Sequence, residues 1–269
     1  MRITFHIGLH KTGSTSTYDM LVQNQHMYRP GFRAFHNLTP EIEPIKSATA
    51  AFMLHPTKAS EKRVADELTK LVTLAKESGT KHLLTSSAGL AGKIPKPWRA
   101  GGKYEHLSHL VQVMLNTLST DSLEIVIVTR EERRWIKSLY AHQLRSRGIR
   151  YTENGFYKLF EPEFSFDSIV SSVRETGALV HHVRFEEDTK SRLGPGTGVL
   201  KSCGFSGLEL EEWVPGAKKY GYTTRKPQIY QNTLDIHSAK IGPQANCKSQ
   251  RQAILRKNIL VISVPDASL

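Results

Sequence analysis

The stretch RITFHIGLHKTGSTS, residues 2–16, combines the patterns of a short strand, a glycine-bearing loop and the start of a helix. Ile3, Phe5 and Ile7 alternate with polar residues, which predicts a strand that ends at Gly8. A loop of small and hydroxyl-bearing residues follows, and a helical pattern begins after it. Such a loop presents consecutive backbone N–H groups, and the helix N-terminus adds a partial positive charge of about half an electron. The stretch therefore predicts a phosphate-binding loop.

The loop departs from the nucleoside-triphosphatase pattern G-x-x-x-x-G-K-[ST] at its lysine. Gly8, Gly13 and Thr15 match that pattern, but Ser14 stands where the pattern has lysine. The lysine of this loop is Lys11, three residues earlier, where its ammonium projects from the front of the loop towards the terminal group of a shorter anion. The loop also carries no carboxylate that would indicate a magnesium site. These features predict a diphosphate-like anion with Lys11 at its reactive end.

The run HIGLHKTGSTS, residues 6–16, resembles the phosphosulfate-binding loop of the sulfotransferase family. The closest pattern is that of its bacterial members, H-x-G-x-x-K-T-G-[ST]-[ST]-S. That family transfers a sulfuryl group from 3'-phosphoadenosine 5'-phosphosulfate (PAPS) to a hydroxyl or an amine. The resemblance implies that Lys11 contacts the bridging oxygen and stabilises the leaving phosphate. It also implies that the 5'-phosphosulfate is held by Thr12, Gly13, Ser14, Thr15 and Ser16.

A second motif lies in LEIVIVTREERRWIKSLYAH, residues 123–142. Ile125 to Thr129 is an almost continuous β-branched run, which predicts a central strand of a parallel sheet. Arg130 follows at the carboxyl end of this strand, where open α/β sheets bind ligands. The sulfotransferase family has an arginine at a strand end and a serine eight residues later, and Ser138, off the apolar stripe of the next helix, matches that spacing. The resemblance implies that both residues hold the 3'-phosphate of PAPS, since guanidinium and hydroxyl groups suit phosphate oxygens.

The catalytic base is the part of the family pattern that this chain does not match. The family has a serine–glutamate pair or a histidine just after the strand that ends here at Ser87, but this chain has Ala88, which cannot transfer a proton. His10 adjoins the loop, and an unperturbed histidine titrates near neutrality, so His10 is our candidate for the base. His36, His142 and Ser87 are further candidates.

The composition limits the class of protein. A chain of 269 residues with 39% hydrophobic residues fits one large α/β domain. Its two cysteines, Cys203 and Cys247, form no C-x-x-C pair, so the sequence indicates neither a disulfide framework nor a zinc site, and we expect no bound metal. The sequence has no signal-peptide pattern and no apolar run of about eighteen residues, which predicts a cytoplasmic protein without a transmembrane segment.

The net charge of +12 indicates anionic partners. Charge alone allows nucleic acid, an acidic glycan or an anionic membrane surface. With the phosphate motifs considered as well, we expect a nucleotide sulfate donor, an acceptor such as a carbohydrate or a small metabolite, and no nucleic acid.

The hydrophobic periodicity predicts a three-layer α/β fold of the P-loop NTPase-like class, with a central parallel sheet of four to five strands flanked by helices. We expect a single domain over residues 1–269, with a core at 1–190 and an irregular C-terminal part at 191–269. The segment Asn24–Pro56, rich in proline and turn-forming pairs, is predicted to be irregular. The strands that the pattern locates are Ile3–Gly8, His82–Ser87, Ile125–Thr129 and Leu179–Phe185. The predicted helices are Thr17–Gln25, Ser60–Ser78, Tyr104–Leu118, one after Arg130, Phe166–Gly177 and Lys248–Val261.

The resemblance implies sulfuryl transfer from PAPS to an acceptor hydroxyl, and two other functions remain open. A P-loop kinase that uses ATP would share the fold, although Ser14 in the lysine position and the missing magnesium carboxylate argue against it. The other alternative is a catalytically impaired protein that binds the nucleotide or an anionic glycan, and Ala88 is its best support.

Overall fold

The computed structural model describes residues 1–98, 103–160 and 164–216. The strands of these residues are β1 (Arg2–Gly8), β2 (Phe32–His36), β3 (His82–Ser87), β4 (Ser122–Thr129) and β5 (Leu179–Arg184). They form one sheet in the order β2-β3-β1-β4-β5, and every neighbouring pair is parallel. The predicted α/β fold with a central parallel sheet is therefore confirmed, and the four located strands lie where the sequence predicts them, with β4 extended by three residues at its start.

Helices flank the sheet on both faces. Short 3₁₀ helices cover Gln25–Met27, Pro40–Ile42 and Ala88–Ala91. The α-helices of the described residues are α1 (Ser14–Gln23), α2 (Glu43–Phe52), α3 (Lys58–Glu77), α4 (Leu107–Thr117), α5 (Glu132–Arg147), α6 (Glu153–Lys158), α7 (Phe166–Arg174), α8 (Phe185–Asp188), α9 (Thr197–Ser202) and α10 (Gly207–Glu211).

The core has two parts, one on each face of the sheet. Because successive side chains of a strand point to opposite faces, Ile3, Phe5 and Ile7 of β1 lie on one face with the apolar side chains of α2, α3, α4, α5 and α7. On the other face, Val126 and Val128 of β4 pack with α1, α9 and α10. Both faces of the central strands are thus buried, which explains the continuous apolar run of β4.

The prediction that Asn24–Pro56 is irregular was wrong. This segment contains β2 at the edge of the sheet and the ten-residue helix α2. Pro44 lies in the first turn of α2, where proline is tolerated because the backbone N–H at this position has no helical partner. Sequence reasoning treated Pro44 as a break in structure, although the buried residues of α2 follow helical spacing, at Ile45, Ala48, Thr49 and Phe52.

The start of the C-terminal part packs on the second face of the core. In α9, Val199 and Leu200 are buried, and Trp213 is 1% exposed. The Asn24 side chain binds the backbone of Val214 twice, donating to its carbonyl at 2.8 Å and accepting from its N–H at 2.7 Å. Residues 191–216 therefore belong to the same packed unit as the sheet. The predicted helix Lys248–Val261 lies outside the described residues.

The described residues contain neither a membrane-spanning helix nor a cluster of metal ligands. None of their helices is both long enough and apolar enough to cross a membrane. Within residues 1–98, 103–160 and 164–216, no three metal-ligating side chains lie together as a metal site requires.

Candidate functional site

The sheet brings the two sequence motifs together at its carboxyl edge. Strands β1 and β4 are neighbours, with Gly8 opposite Val128, so the loop after β1 lies beside the residues after β4. Arg130 directly follows β4, and its Nη1 donates a hydrogen bond to the backbone carbonyl of Lys11 at 3.3 Å. Both motifs therefore lie at the carboxyl ends of parallel strands, as predicted, and the structure shows that these two strands are neighbours.

The backbone of the loop is built around two left-handed residues. Lys11 has φ 70° and Gly13 has φ 94°. At Gly13 a Cβ atom would lie 2.8 Å from Phe185 Cε2 and 2.9 Å from Pro195 Cβ, so both the backbone angle and the packing require glycine. Gly13 is also the N-cap of α1, and it leaves the first N–H groups of that helix without a side-chain acceptor. Such a helix end suits an anion.

The hydroxyl residues of the loop differ in their exposure. Thr12 is buried, and its hydroxyl donates to the carbonyl of Leu9, so this side chain supports the loop from within. Ser14 and Ser16 are partly exposed and Thr15 is exposed, so their hydroxyls can reach a ligand. The structure therefore allows Thr12 and Gly13 to bind an anion through backbone groups and the next three residues to add side-chain donors.

The electrostatic environment of Lys11 is cationic. Burial lowers the pKa of the Lys11 ammonium, and the nearby charges of Arg145 and Arg130 lower it further. Burial also lowers the pKa of Arg130, whose guanidinium lies 4.8 Å from the centre of the Phe185 ring. Among the described residues, Arg130 Nε is buried without a hydrogen-bond partner. A buried donor of this kind is costly unless something accepts from it, so the pair of cations suits an anionic ligand.

Ser138 lies on α5, on the side of the helix that faces the loop. Trp135, one turn before it, donates its indole N–H to the carbonyl of His10 at 2.6 Å. His142 and Arg145 follow Ser138 at spacings of four and seven residues, which places all three on one face of the helix. By its spacing Ser138 lies off the apolar stripe of α5, but it is nevertheless buried, with 2% of its surface exposed.

His10 is bound on its main chain and on its ring. Its backbone N–H donates to the Tyr104 hydroxyl at 2.9 Å, and its Nδ1 lies 3.1 Å from the same oxygen. Burial lowers the pKa of His10 to about 3, with smaller contributions from the charges of His142 and Lys11. His10 is therefore a neutral imidazole beside Lys11 at physiological pH.

Sequence reasoning missed the contacts that Tyr104 and Trp135 make with His10. It placed Tyr104 in the first turn of a helix, but α4 begins at Leu107, and Tyr104 itself has φ 70°. It counted Trp135 only as an apolar residue of α5. The sequence offers only a general indication of these contacts. Buried tyrosine and tryptophan side chains usually form a hydrogen bond through the hydroxyl or the indole N–H.

The other candidates for the base differ in the hydrogen bonds that their side chains already make. The Ser87 hydroxyl donates to Asn37 Oδ1 and accepts from the N–H of Gly89, both at 3.0 Å. His36 ends β2, two strands away from β1, and its Nδ1 accepts from the Leu38 N–H at 3.3 Å. His142 is partly exposed on the loop-facing side of α5.

Ala88 and the acidic residues after β5 complete the site. A Cβ atom on Gly8 would lie 3.5 Å from the backbone nitrogen of Ala88, so this alanine adjoins the phosphate loop. Asp188 accepts from the N–H groups of Gly196 at 2.7 Å and Gly198 at 2.6 Å, which fixes the turn before α9. Asp188 therefore has a structural role in this turn.

Solved proteins with a similar fold include sulfotransferases. A sulfotransferase from Alicyclobacillus acidocaldarius is 14% identical and superimposes with a TM-score of 0.50, covering 97% of this chain and 96% of that chain. The two proteins share a fold. At this identity the likeness is one of fold alone. No protein-family model matches the chain, and no curated protein matches its sequence.

Two further solved structures are more distant. The sulfotransferase domain from the curacin biosynthetic pathway is 14% identical, with a TM-score of 0.40 over 98% of this chain and 99% of that chain. Retinol dehydratase in complex with androsterone and the inactive cofactor PAP is 11% identical, with a TM-score of 0.32 over 100% of this chain and 84% of that chain. Similarity at this level supports no argument about the site.

Proposed function

We propose that this protein transfers a sulfuryl group from PAPS to an acceptor hydroxyl on a carbohydrate or a small metabolite. The observation that carries the proposal is the meeting of Lys11 and Arg130 at one loop, joined by the hydrogen bond from Arg130 Nη1 to the Lys11 carbonyl at 3.3 Å. Lys11 stands ahead of an uncapped helix N-terminus, and Arg130 has a buried Nε without a partner among the described residues. Both features suit a ligand that carries two separated anionic groups.

The residues divide between the two ends of the donor. The 5'-phosphosulfate lies in the loop, against the backbone of Thr12 and Gly13 and the hydroxyls of the three residues that follow, Ser14, Thr15 and Ser16. The 3'-phosphate lies at Arg130, directly after β4, and at Ser138 on α5. Because the donor is a cytosolic nucleotide, the proposal places the protein in the cytoplasm. The proposed reaction needs no metal ion, since Lys11 and the loop supply the positive charge.

In the reaction the acceptor oxygen attacks the sulfur atom, and the bond from sulfur to the bridging oxygen breaks. The electron pair of that bond passes to the 5'-phosphate of the leaving 3'-phosphoadenosine 5'-phosphate (PAP). Negative charge grows on the bridging oxygen, where the Lys11 ammonium stabilises it. As in phosphoryl transfer, positioning and charge stabilisation supply most of the rate. The proton of the acceptor hydroxyl passes to a neutral imidazole, and His10 and His142 both lie close enough to Lys11 to interact with its charge.

A thermal-shift experiment tests the proposal and its alternatives. PAP and magnesium-ATP are compared on the wild type and on Arg130→Ala, each at about 100 times its dissociation constant, where a ligand adds about 2.7 kcal/mol of apparent stability. Stabilisation by PAP that Arg130→Ala abolishes is the expected result. Stabilisation by magnesium-ATP alone would overturn the proposal in favour of a kinase. PAP binding without transfer from PAPS to a broad acceptor panel would identify a binding protein, as Ala88 suggests.

A further inference from the structure

Among the described residues, hydrogen bonds occupy every polar group of His10 except one. Its backbone N–H is bound by the Tyr104 hydroxyl and its carbonyl by the Trp135 indole, at 2.9 Å and 2.6 Å. Its Nδ1 lies 3.1 Å from the same Tyr104 oxygen. The ring nitrogen Nε2 is what remains, and it belongs to the residue directly before Lys11. The function of His10 therefore depends on whether Nε2 carries a proton.

The backbone decides the direction of these hydrogen bonds. A backbone N–H can only donate, so the Tyr104 oxygen accepts from His10 with one lone pair and keeps its own proton. Tyr104 is 4% exposed, and the only other polar atom bound to its hydroxyl among the described residues is His10 Nδ1. The hydroxyl proton therefore goes to Nδ1. A neutral imidazole that accepts at Nδ1 carries its proton at Nε2.

We propose that Tyr104 is a positioning residue that holds His10 as the Nε2–H tautomer. His10 then donates a hydrogen bond to an oxygen of the transferring sulfuryl group, and the acceptor's proton goes to His142. This inference rests on the proposed function for the identity of the group that is transferred. It assigns two neighbouring histidines opposite roles, one as a hydrogen-bond donor and the other as the proton acceptor.

The position of His142 fits the second role. It lies one helical turn after Ser138 on the loop-facing side of α5, and its ring is partly exposed. Burial lowers the pKa of His142 to about 4, and the charges of Lys11, Arg145 and Arg147 contribute. The ring is therefore neutral near pH 7. The negative charge of a bound donor would offset the effect of these cations and make His142 more basic.

Backbone strain occurs both in the loop that holds Lys11 and in the segment that holds Tyr104. Lys11 and Tyr104 both have φ 70°, and no other described residue except glycine has a positive φ. Such angles cost free energy in residues with side chains, and they persist where the surroundings enforce them, often at functional sites. Here the two strained residues are linked through His10, whose ring and N–H bind Tyr104 and whose carbonyl group leads into Lys11. The strain is consistent with a contact that positions the loop.

The tautomer can be measured without any substrate. In protein labelled with [¹⁵N]histidine, two-bond ¹H–¹⁵N spectra distinguish Nε2–H from Nδ1–H rings, and His10→Gln identifies the His10 signals by their loss. We expect the Nε2–H pattern for His10, unchanged between pH 5 and 8, and a mixture of tautomers in Tyr104→Phe. A His10 ring that is protonated at Nδ1, or that titrates in this range, would overturn the proposal whether or not PAPS is the donor.

Turnover then separates the roles of the two histidines. Glutamine places an amide N–H near the position of Nε2 but cannot accept a proton at neutral pH. We therefore expect His10→Gln to keep kcat within about tenfold of the wild type and His142→Gln to lower it by ~10² or more. His26→Gln, a substitution of an exposed histidine outside the site, is the matched control. The opposite ranking of the two variants, with PAP binding intact in both, would make His10 the base and refute the inference while leaving the proposed function standing.

The pH dependence gives a further check on the same variants. If His142 accepts the proton, kcat/KM of the wild type falls on the acid side as His142 becomes protonated, and this fall is absent from the residual activity of His142→Gln. In His10→Gln the acid limb remains. In Tyr104→Phe, we expect lower kcat with the PAP dissociation constant within about threefold of the wild type, since the hydroxyl positions His10 rather than the nucleotide. An acid limb that disappears in His10→Gln would refute the assignment.

Discussion

The indole N–H of Trp135 donates to the carbonyl of His10 at 2.6 Å. This bond joins the first turn of α5 to the phosphate loop, so the helix that carries Ser138 and His142 is fixed relative to Lys11. Replacing Trp135 by Phe leaves a carbonyl without its donor and keeps most of the apolar contact. We expect a loss of about 1–3 kcal/mol in the free energy of unfolding, measured by urea denaturation, and weaker PAP binding.

Trp98→Phe is the matched control for this change, because Trp98 is 36% exposed and its ring stacks on Tyr151. Its unfolding free energy should change by less than that of Trp135→Phe, and its PAP affinity should stay the same. Equal losses of unfolding free energy and of PAP affinity in the two variants would mean that the hydrogen bond to His10 contributes to neither.

Lys11→Ala removes the ammonium that we place at the bridging oxygen. We expect kcat to fall by ~10² or more, as when one preorganised donor is lost from a site that stabilises developing charge. PAP binding should weaken less, because the loop backbone and Arg130 remain. Lys62→Ala is the control, since Lys62 pairs with Asp66 on the exposed side of α3. Turnover of Lys11→Ala at the wild-type rate would contradict the role assigned to Lys11.

Gly13→Ala tests the geometry of the loop. The new Cβ would lie 2.8 Å from Phe185 Cε2 at a residue whose φ is 94°, so both strain and collision oppose it. Gly177→Ala matches the strain without the collision, because Gly177 has φ 84° and nothing lies within 4 Å of its Cβ position. Both variants should lose stability through strain, by about 1 kcal/mol or more. Only Gly13→Ala should lose PAP binding in the thermal-shift assay.

Arg130→Ala and Ser138→Ala test the 3'-phosphate contact. If these residues hold that group, each variant should bind PAP more weakly and bind adenosine 5'-phosphate, which lacks the 3'-phosphate, almost as the wild type does. The loss should be larger for Arg130, since a charged hydrogen bond contributes about 1.5–3 kcal/mol against about 1 kcal/mol for a neutral one. Calorimetric titration with both nucleotides measures the ratio. An unchanged preference for PAP in both variants would be evidence that the 3'-phosphate binds elsewhere.

Buried histidines predict a loss of stability in mild acid. Burial lowers the pKa of His6 to about 4, whereas an unfolded histidine titrates near 6.5. Above pH 6.5 neither state is protonated, and below it the unfolded state binds a proton that the folded state excludes. The free energy of unfolding should therefore fall between pH 6.5 and 4, by about 3 kcal/mol for His6 alone. Urea midpoints across this range should show a shallower fall in His6→Gln than in the wild type or in His26→Gln.

Much of the fold follows from local patterns. Strands β1 and β4 are each buried on both faces. The continuous β-branched run of β4 shows this directly, whereas β1 alternates because its second face carries the polar residues Thr4 and His6. The segment with β2 and α2 was misread because Pro44 was weighed as a breaker without regard to its position, although proline fits the first turn of a helix. The glycine spacing of the loop could be recognised because the left-handed backbone at Gly13 restricts which residue fits there.

The contacts of His10 could not be predicted from local patterns. Its partners Tyr104 and Trp135 are 94 and 125 residues away in sequence, and they meet His10 only once the sheet has formed. Nothing in the residues around Tyr104 shows that its hydroxyl turns towards the loop, because its backbone angle departs from the helix that the apolar pattern predicts. Sequence reasoning could therefore propose His10 as a reactive group but not the protonation of its ring.

The cations around Lys11 have a consequence for the order of events. Lys11 lies near Arg145 and Arg130, and these positive charges repel one another. A bound donor relieves that repulsion, whereas a neutral acceptor does not. If the protein transfers a sulfuryl group as proposed, the nucleotide should therefore tend to bind before the acceptor, and PAP should be the last product to leave. Product inhibition by PAP that is competitive with PAPS but not with the acceptor would be the kinetic signature of this sequence.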